Sequence, residues 1–175
     1  RFSRTFIVVL TAPLGLIVDY WLKDKIKEEP QDDDNPAAPE DAHKNELKLE
    51  ILDAQGRLVR ALSTNPKPLK YPKDDADQPL DEEIKPELTK GQGLNRIVWD
   101  LRYEGAKRLE KAKVDSGEPE KGILAPPGVY TLKLTAAGKT VTTTAEIKPD
   151  PHSPVPAAEL AQNVAYALRA REALD

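Results

Sequence analysis

Two acidic runs are the first residues whose types could do chemistry. Asp32, Asp33 and Asp34 form one, and Asp74, Asp75, Asp77, Asp81 and Glu82 the other. Carboxylates at that density are the hard oxygen donors that calcium takes. Neither run carries the glycine that an EF-hand loop places at its sixth position, and a block of like charge in a polar stretch reads more simply as a solvated face. Paired carboxylates also cleave glycosidic bonds, but only when held a fixed distance apart across a cleft, which spacing within loops does not impose. Nucleophiles are equally sparse. Ser63, Ser116 and Ser153 lack a G-x-S-x-G elbow, and Ser153 beside His152 falls in a Pro-rich linker. His43 and His152 are the only histidines, and neither has a second ligand at helix or hairpin spacing. Gly91-Gln92-Gly93 lacks the spacing and the following helix of a phosphate loop. No catalytic residue, metal ligand or cofactor-binding residue is therefore assigned, and no cofactor is expected.

Composition narrows the function classes further. The 175 residues suit one domain with one core. Lys and Arg number 26 against 30 Asp and Glu, for a net charge of −4, so no basic stripe exists to track a phosphate backbone and nucleic acid is not an expected partner. Absence of cysteine removes disulfides, thiolate catalysis and Cys-ligated zinc or iron–sulfur chemistry. With no methionine either, the sequence reads as a processed chain or a piece of a larger one.

The elements that would position any site are mostly strands. Residues 6–22 are the most apolar run, at the bottom of the roughly 17 to 25 residues that span a bilayer, but Pro13, Gly15 and Asp19 interrupt it. It reads better as strands at Ile7–Leu10 and Leu16–Leu22 around a turn, with Leu16, Val18, Tyr20 and Leu22 on one face. Glu46–Asp53 and Arg57–Leu62 form a hairpin around Ala54-Gln55-Gly56. Leu94–Tyr103 reads as one strand with Ile97, Trp99 and Leu101 inward. Tyr130, Leu132 and Leu134, then Val141, Thr143, Ala145 and Ile147, alternate on either side of Ala136-Ala137-Gly138. Three polar insertions, about 23–45, 64–90 and 104–122, read as solvated loops. After Pro149, Pro151, Pro154 and Pro156 the period changes to helical, with Leu160, Val164 and Leu168 in a stripe and Tyr166 on its flank. That stripe needs a partner surface, either this domain or a further helix.

The fold class expected is all-β, an immunoglobulin-like antiparallel β-sandwich with long polar insertions and a C-terminal α-helix. Its parts are an apolar lead-in strand over 1–12, the sandwich over 13–150, and a Pro-rich linker with the helix over 151–175. Trp99 is expected as an inward anchor and Tyr20 as a further core residue, and Gly128, two residues before Tyr130, suits a corner in which the phenol bonds nearby backbone.

Three segments carry a family resemblance: Leu49-Glu50-Ile51-Leu52-Asp53-Ala54-Gln55-Gly56-Arg57-Leu58-Val59-Arg60, Gly93-Leu94-Asn95-Arg96-Ile97-Val98-Trp99-Asp100-Leu101-Arg102-Tyr103, and Pro127-Gly128-Val129-Tyr130-Thr131-Leu132-Lys133-Leu134. They resemble the immunoglobulin-like domain of the flagellar hook-capping protein superfamily. The closer likeness is to the form found at the C-terminus of bacterial secreted proteins built on sortilin-type or BNR-repeat propellers, often labelled glycosyl hydrolases. The resemblance spans roughly residues 13–174, and its motifs are fold motifs rather than catalytic ones.

What it implies is a non-catalytic interaction or spacer module, periplasmic or extracellular. Its partner would be a protein, either the propeller of the same parent chain or another subunit of an envelope complex. Leu160, Val164 and Leu168 are the candidate partner surface, together with the insertions. The alternatives are an accessory domain contributing to the cleft of a propeller enzyme, and a membrane-attached subunit held by residues 6–22. Sugar binding would rest on exposed aromatics, for which Trp21 and Tyr71 are the candidates.

Overall fold

A computed structural model describes residues 7–12, 15–26, 46–64, 88–106 and 121–173. The acidic runs, His43, Ser116, Tyr71 and most of the three insertions lie outside these residues, as do Phe6, Pro13, Leu14 and Leu174.

Antiparallel strands dominate, followed by one C-terminal helix. The apolar N-terminal run is a pair of strands, β1 (Ile7–Ala12) and β2 (Gly15–Leu22), in register from Ile7 opposite Tyr20 to Ala12 opposite Gly15. No helix among the described residues is long and apolar enough to cross a membrane. Strand β5 (Gly93–Trp99) pairs with the other side of β2 to give a three-stranded sheet in the order β1-β2-β5. Strands β3 (Leu47–Leu52), β4 (Leu58–Ser63), β8 (Gly128–Ala136) and β9 (Lys139–Ile147) form a four-stranded sheet in the order β4-β3-β8-β9. Both sheets feed one hydrophobic cluster. Leu16, Val18, Tyr20 and Trp99 enter it from the first, and Leu47, Leu49, Ile51, Tyr130, Leu132 and Leu134 from the second, all nearly or fully buried. The period-2 alternation of these segments is what turns one face of each strand inward.

The run from Leu94 to Tyr103 is not one strand. It breaks after Trp99, where Leu101 takes a left-handed φ of 61°, and resumes as β6 (Arg102–Glu104) paired with β7 (Lys121–Leu124) in a separate two-stranded sheet. A left-handed leucine costs roughly 1–2 kcal/mol, and three bonds hold it. The Trp99 indole N–H donates to the Arg102 carbonyl at 2.9 Å, Ala125 N–H to the Leu101 carbonyl at 2.7 Å, and Arg102 N–H to Asp100 Oδ1 at 3.1 Å. The ends of the third polar insertion are therefore paired strand, and a polar composition concealed the short run Gly122-Ile123-Leu124. The second insertion likewise ends in a buried anchor, Leu88, 1% exposed, while Ile26 is buried where the first begins.

Two glycines are required by close approach. A Cβ on Gly15 would collide with the Trp99 carbonyl oxygen, and one on Gly122 with the Tyr103 carbonyl. The β8–β9 turn is a two-residue one, since Ala136 still pairs with Lys139 and only Ala137 and Gly138 are left, both at positive φ as a type I′ hairpin needs.

Helix α1 (Ala157–Glu172) packs beside β7. Val164 and Leu168 press on the hydrophobic cluster, and Leu160 is half-buried on the same face. The helical stripe is thus met by the chain's own β-domain. No residue of α1 is fully buried, so its attachment is shallow.

Two outcomes follow from this packing. Gly122→Ala should lower stability by at least about 1–3 kcal/mol, because backbone cannot yield as a flexible side chain does; an unchanged Tm would contradict the close β6–β7 approach. Val164→Ala with Leu168→Ala should accelerate amide exchange in α1 while leaving protection in β2, β3 and β8 intact. Uniform loss of protection would instead make the helix part of one cooperative unit.

Candidate functional site

Ionisable and hydrogen-bonding groups gather in four places, and in three of them the bonds tie turns and corners of the chain. At the β3–β4 turn, Asp53 is 9% exposed and accepts from Gln55 N–H and Arg57 N–H at Oδ1, both 2.9 Å, and from Arg57 Nε at Oδ2, 2.8 Å. Burial pushes its carboxyl up, but the bonds from Arg57 and Gln55 outweigh that and hold it below the usual range. An aspartate in this position ties the three-residue loop that ends at Gly56.

The second place is the aromatic corner. Trp99 meets Tyr130 edge to face at 5.5 Å between ring centroids, and the Tyr130 hydroxyl donates to the Pro126 carbonyl at 2.6 Å. Residues 126–130 thus form the corner that Gly128 introduces. Burial pushes the phenols of Tyr130 and nearby Tyr103 above their ordinary range, so both are neutral at physiological pH.

The third is a chain of bonds from Tyr20. Its hydroxyl donates to the Thr89 carbonyl at 2.7 Å and accepts from Thr89 N–H at 3.0 Å; Thr89 Oγ1 donates to Asn95 Oδ1 at 2.6 Å. Asn95 Nδ2 in turn donates to the carbonyls of Gly91 and Gly93. The Gly91-Gln92-Gly93 turn is therefore bound by side chains and holds the end of the second insertion against β2. Ser153 has a similar role, its hydroxyl accepting from Val155 N–H at 3.3 Å, while His152 N–H bonds Asp150 Oδ1. Ser63 donates to Glu46 at 2.5 Å. Neither serine faces a histidine base in these bonds. Among the described residues, no group of three or more His, Cys, Asp or Glu is arranged to hold a metal ion.

Comparison with protein-family models, curated proteins and solved structures gives no match. Function must therefore be argued from the surface itself.

The fourth place differs in kind. Antiparallel sheets with one face on a core normally turn polar residues to water, and the four-stranded sheet does so over most of its outer face, apart from exposed Leu58 and Val129. Lys48, Glu50 and Lys133 are linked at 2.9 and 3.1 Å on its outer face, beside exposed Thr140, Thr142 and Thr144. The outer face of β2 and β5 carries Trp21 opposite Leu94, Asp19 opposite Arg96, and Ile17 opposite Val98. Leu94 is 62% exposed, Val98 49% and Trp21 40%. Across its middle, Arg96 Nε and Nη2 donate to the two oxygens of Asp19 at 2.7 and 2.8 Å. Those charge-assisted bonds hold the Asp19 carboxyl below the usual range.

Trp21 is legible in the sequence as an exposed aromatic, whereas Leu94 and Val98 read there as ordinary strand residues. The available signal was Gly15–Leu22 itself, which is apolar at both parities except for Asp19. Such a strand has both faces to cover.

The carboxylates set the acid response. Asp19, Asp53 and Glu50 all have lowered folded values, Glu50 through its bonds to Lys48 and Lys133. Their contribution is whole above the unfolded range of about 3.9–4.3 and is lost as pH falls through the lower folded values. Stability should therefore hold above about pH 5 and decline below about pH 4. Asp53→Ala should cost about 2 kcal/mol at neutral pH and flatten that decline, since it removes charged-acceptor bonds; urea melts from pH 7 to pH 3 measure both, and an unaltered slope would refute the assignment.

Proposed function

We propose that this chain is a non-catalytic interaction or spacer module built as an immunoglobulin-like β-sandwich, the form its hook-capping resemblance implies. The observation that carries this reading is the outer face of the β1-β2-β5 sheet, where Trp21 and Leu94 lie exposed opposite each other and Val98 lies exposed across the Asp19–Arg96 row from them. Apolar side chains gathered on one sheet face in this way point to a binding face, whereas singly scattered ones do not. Two further observations agree with it. The carboxylates of Asp19, Glu50 and Asp53 and the phenols of Tyr20 and Tyr130 have partners that order turns, strands and corners. In the helical stripe of Leu160, Val164 and Leu168, the last two pack on the domain, which favours the sheet face as the more open surface for a partner. The partner is a protein, and the setting is the periplasm or the exterior, as the resemblance implies.

A photo-crosslinking residue at position 94 or 98, introduced into the protein in its source cells, tests the reading. Crosslinks to another polypeptide or domain should form from those positions and not from position 142 on the polar sheet. Equal yields from both faces, or none from 94 and 98, would remove the basis for an interaction module.

A further inference from the structure

We propose that the outer face of β1-β2-β5 docks a protein segment that presents apolar side chains around a carboxylate, a statement that rests on the interaction reading and names the chemistry of its partner. The face consists of three cross-strand rows, apolar, ionic and apolar, spaced about 7 Å apart along the strands.

The ionic row decides the occupant. Asp19 is nearly buried, its side chain 11% exposed, whereas the Arg96 side chain is 56% exposed. What the face offers outward is therefore a guanidinium framed by Trp21, Leu94, Ile17 and Val98. Both oxygens of Asp19 are engaged, but they take only two of the five N–H donors of Arg96. A second carboxylate can bond the remaining donors with the geometry that guanidinium favours, while the apolar rows on either side exclude water and strengthen that bond.

A second copy of this chain fits poorly. A two-fold contact places the same patch on both sides, and the one carboxylate of these rows, Asp19, stays beneath its own arginine, so neither copy presents an outward acid to the other's Arg96. An anionic lipid surface also fits poorly, because membrane attraction grows with the number of clustered cations and these rows hold one. Charge complementarity leaves an acid-bearing apolar protein segment.

Selection of a displayed random peptide library on the full chain, with subtraction on the Leu94→Asp/Val98→Asp variant, tests this. Leu94 and Val98 are exposed enough for the variant to fold, which its near-ultraviolet circular dichroism verifies. Enriched peptides should carry Asp or Glu flanked by aliphatic or aromatic residues. A synthesised winner should lose about tenfold in affinity when its acid is made the amide, as one charge-assisted bond predicts. It should lose at least as much against Leu94→Asp. No enrichment over the subtraction, or affinity indifferent to the acid, overturns the proposal. So does concentration-dependent dimerisation in sedimentation equilibrium that Leu94→Asp abolishes, which would assign the face to a second copy. Co-sedimentation with phosphatidylcholine–phosphatidylserine vesicles that the same variant abolishes would assign it to lipid. Crosslinks from position 94 that persist alongside acid-independent peptides would leave the interaction reading standing and remove only the partner's chemistry.

Discussion

The indole of Trp99 is the constraint around which the rest of the structure is arranged. It is 1% exposed at the end of β5, where its backbone lies so close to Gly15 that no side chain fits there. Its N–H reaches across the left-handed Leu101 to the Arg102 carbonyl, so the chain turns out of one sheet without leaving that buried donor unpaired. Its ring meets Tyr130 of the other sheet edge to face, and Tyr130 in turn fastens the entry of β8 through Pro126. One large side chain thus joins the three-stranded sheet, the four-stranded sheet and the start of β6-β7. Aromatic burial of this size is among the larger single contributions a small core can have.

Around that anchor, polar groups close the places where strands end or stand at an edge. Glu104 shows how economical the arrangement is. Its Oε1 accepts Ala61 N–H of edge strand β4 at 2.8 Å, and its backbone carbonyl accepts Arg171 Nη1 of α1 at 2.9 Å. One residue of β6 therefore caps an exposed strand edge, the feature that invites unwanted pairing, and holds the shallowly packed helix. Asp53, Tyr20 and Asn95 act in the same manner at their own turns. The two outer sheet faces then differ: one carries charged residues and threonines in solvent beside exposed Leu58 and Val129, and the other has apolar rows divided by a single ion pair. That asymmetry follows from β2, which is apolar on both sides and must be covered on both.

Strand positions and the inward residues were legible wherever alternation ran uninterrupted, as from Leu47 to Ile51 and Tyr130 to Leu134, because a period of two assigns faces without knowledge of neighbours. Leu101 was not legible as a break, since a leucine in a left-handed conformation has no sequence mark and is held only by Trp99, Ala125 and Asp100 from around it. Leu88 and the Gly122-Ile123-Leu124 strand were concealed by the prolines and charges beside them. The binding face was legible only in part. Trp21 is conspicuous by type, but Leu94 and Val98 read as ordinary strand residues until pairing sets them beside it.

By itself, the sequence determined the absence of cysteine chemistry, the inward set of β2, β3 and β8, the turn at Asp53 to Arg57 and the helical face of Leu160, Val164 and Leu168. These depend on residue type and on local periodicity, which short stretches of chain contain. Tertiary structure alone decided that the helical stripe would be met by the domain and that the exposed apolar rows would lie on β2 and β5. It also decided that Arg96 would cover Asp19 and present the outward charge. Each of those results depends on which strand becomes the neighbour of which, and pairing between residues as far apart as Asp19 and Arg96 is set by closure of the core rather than by anything local to either.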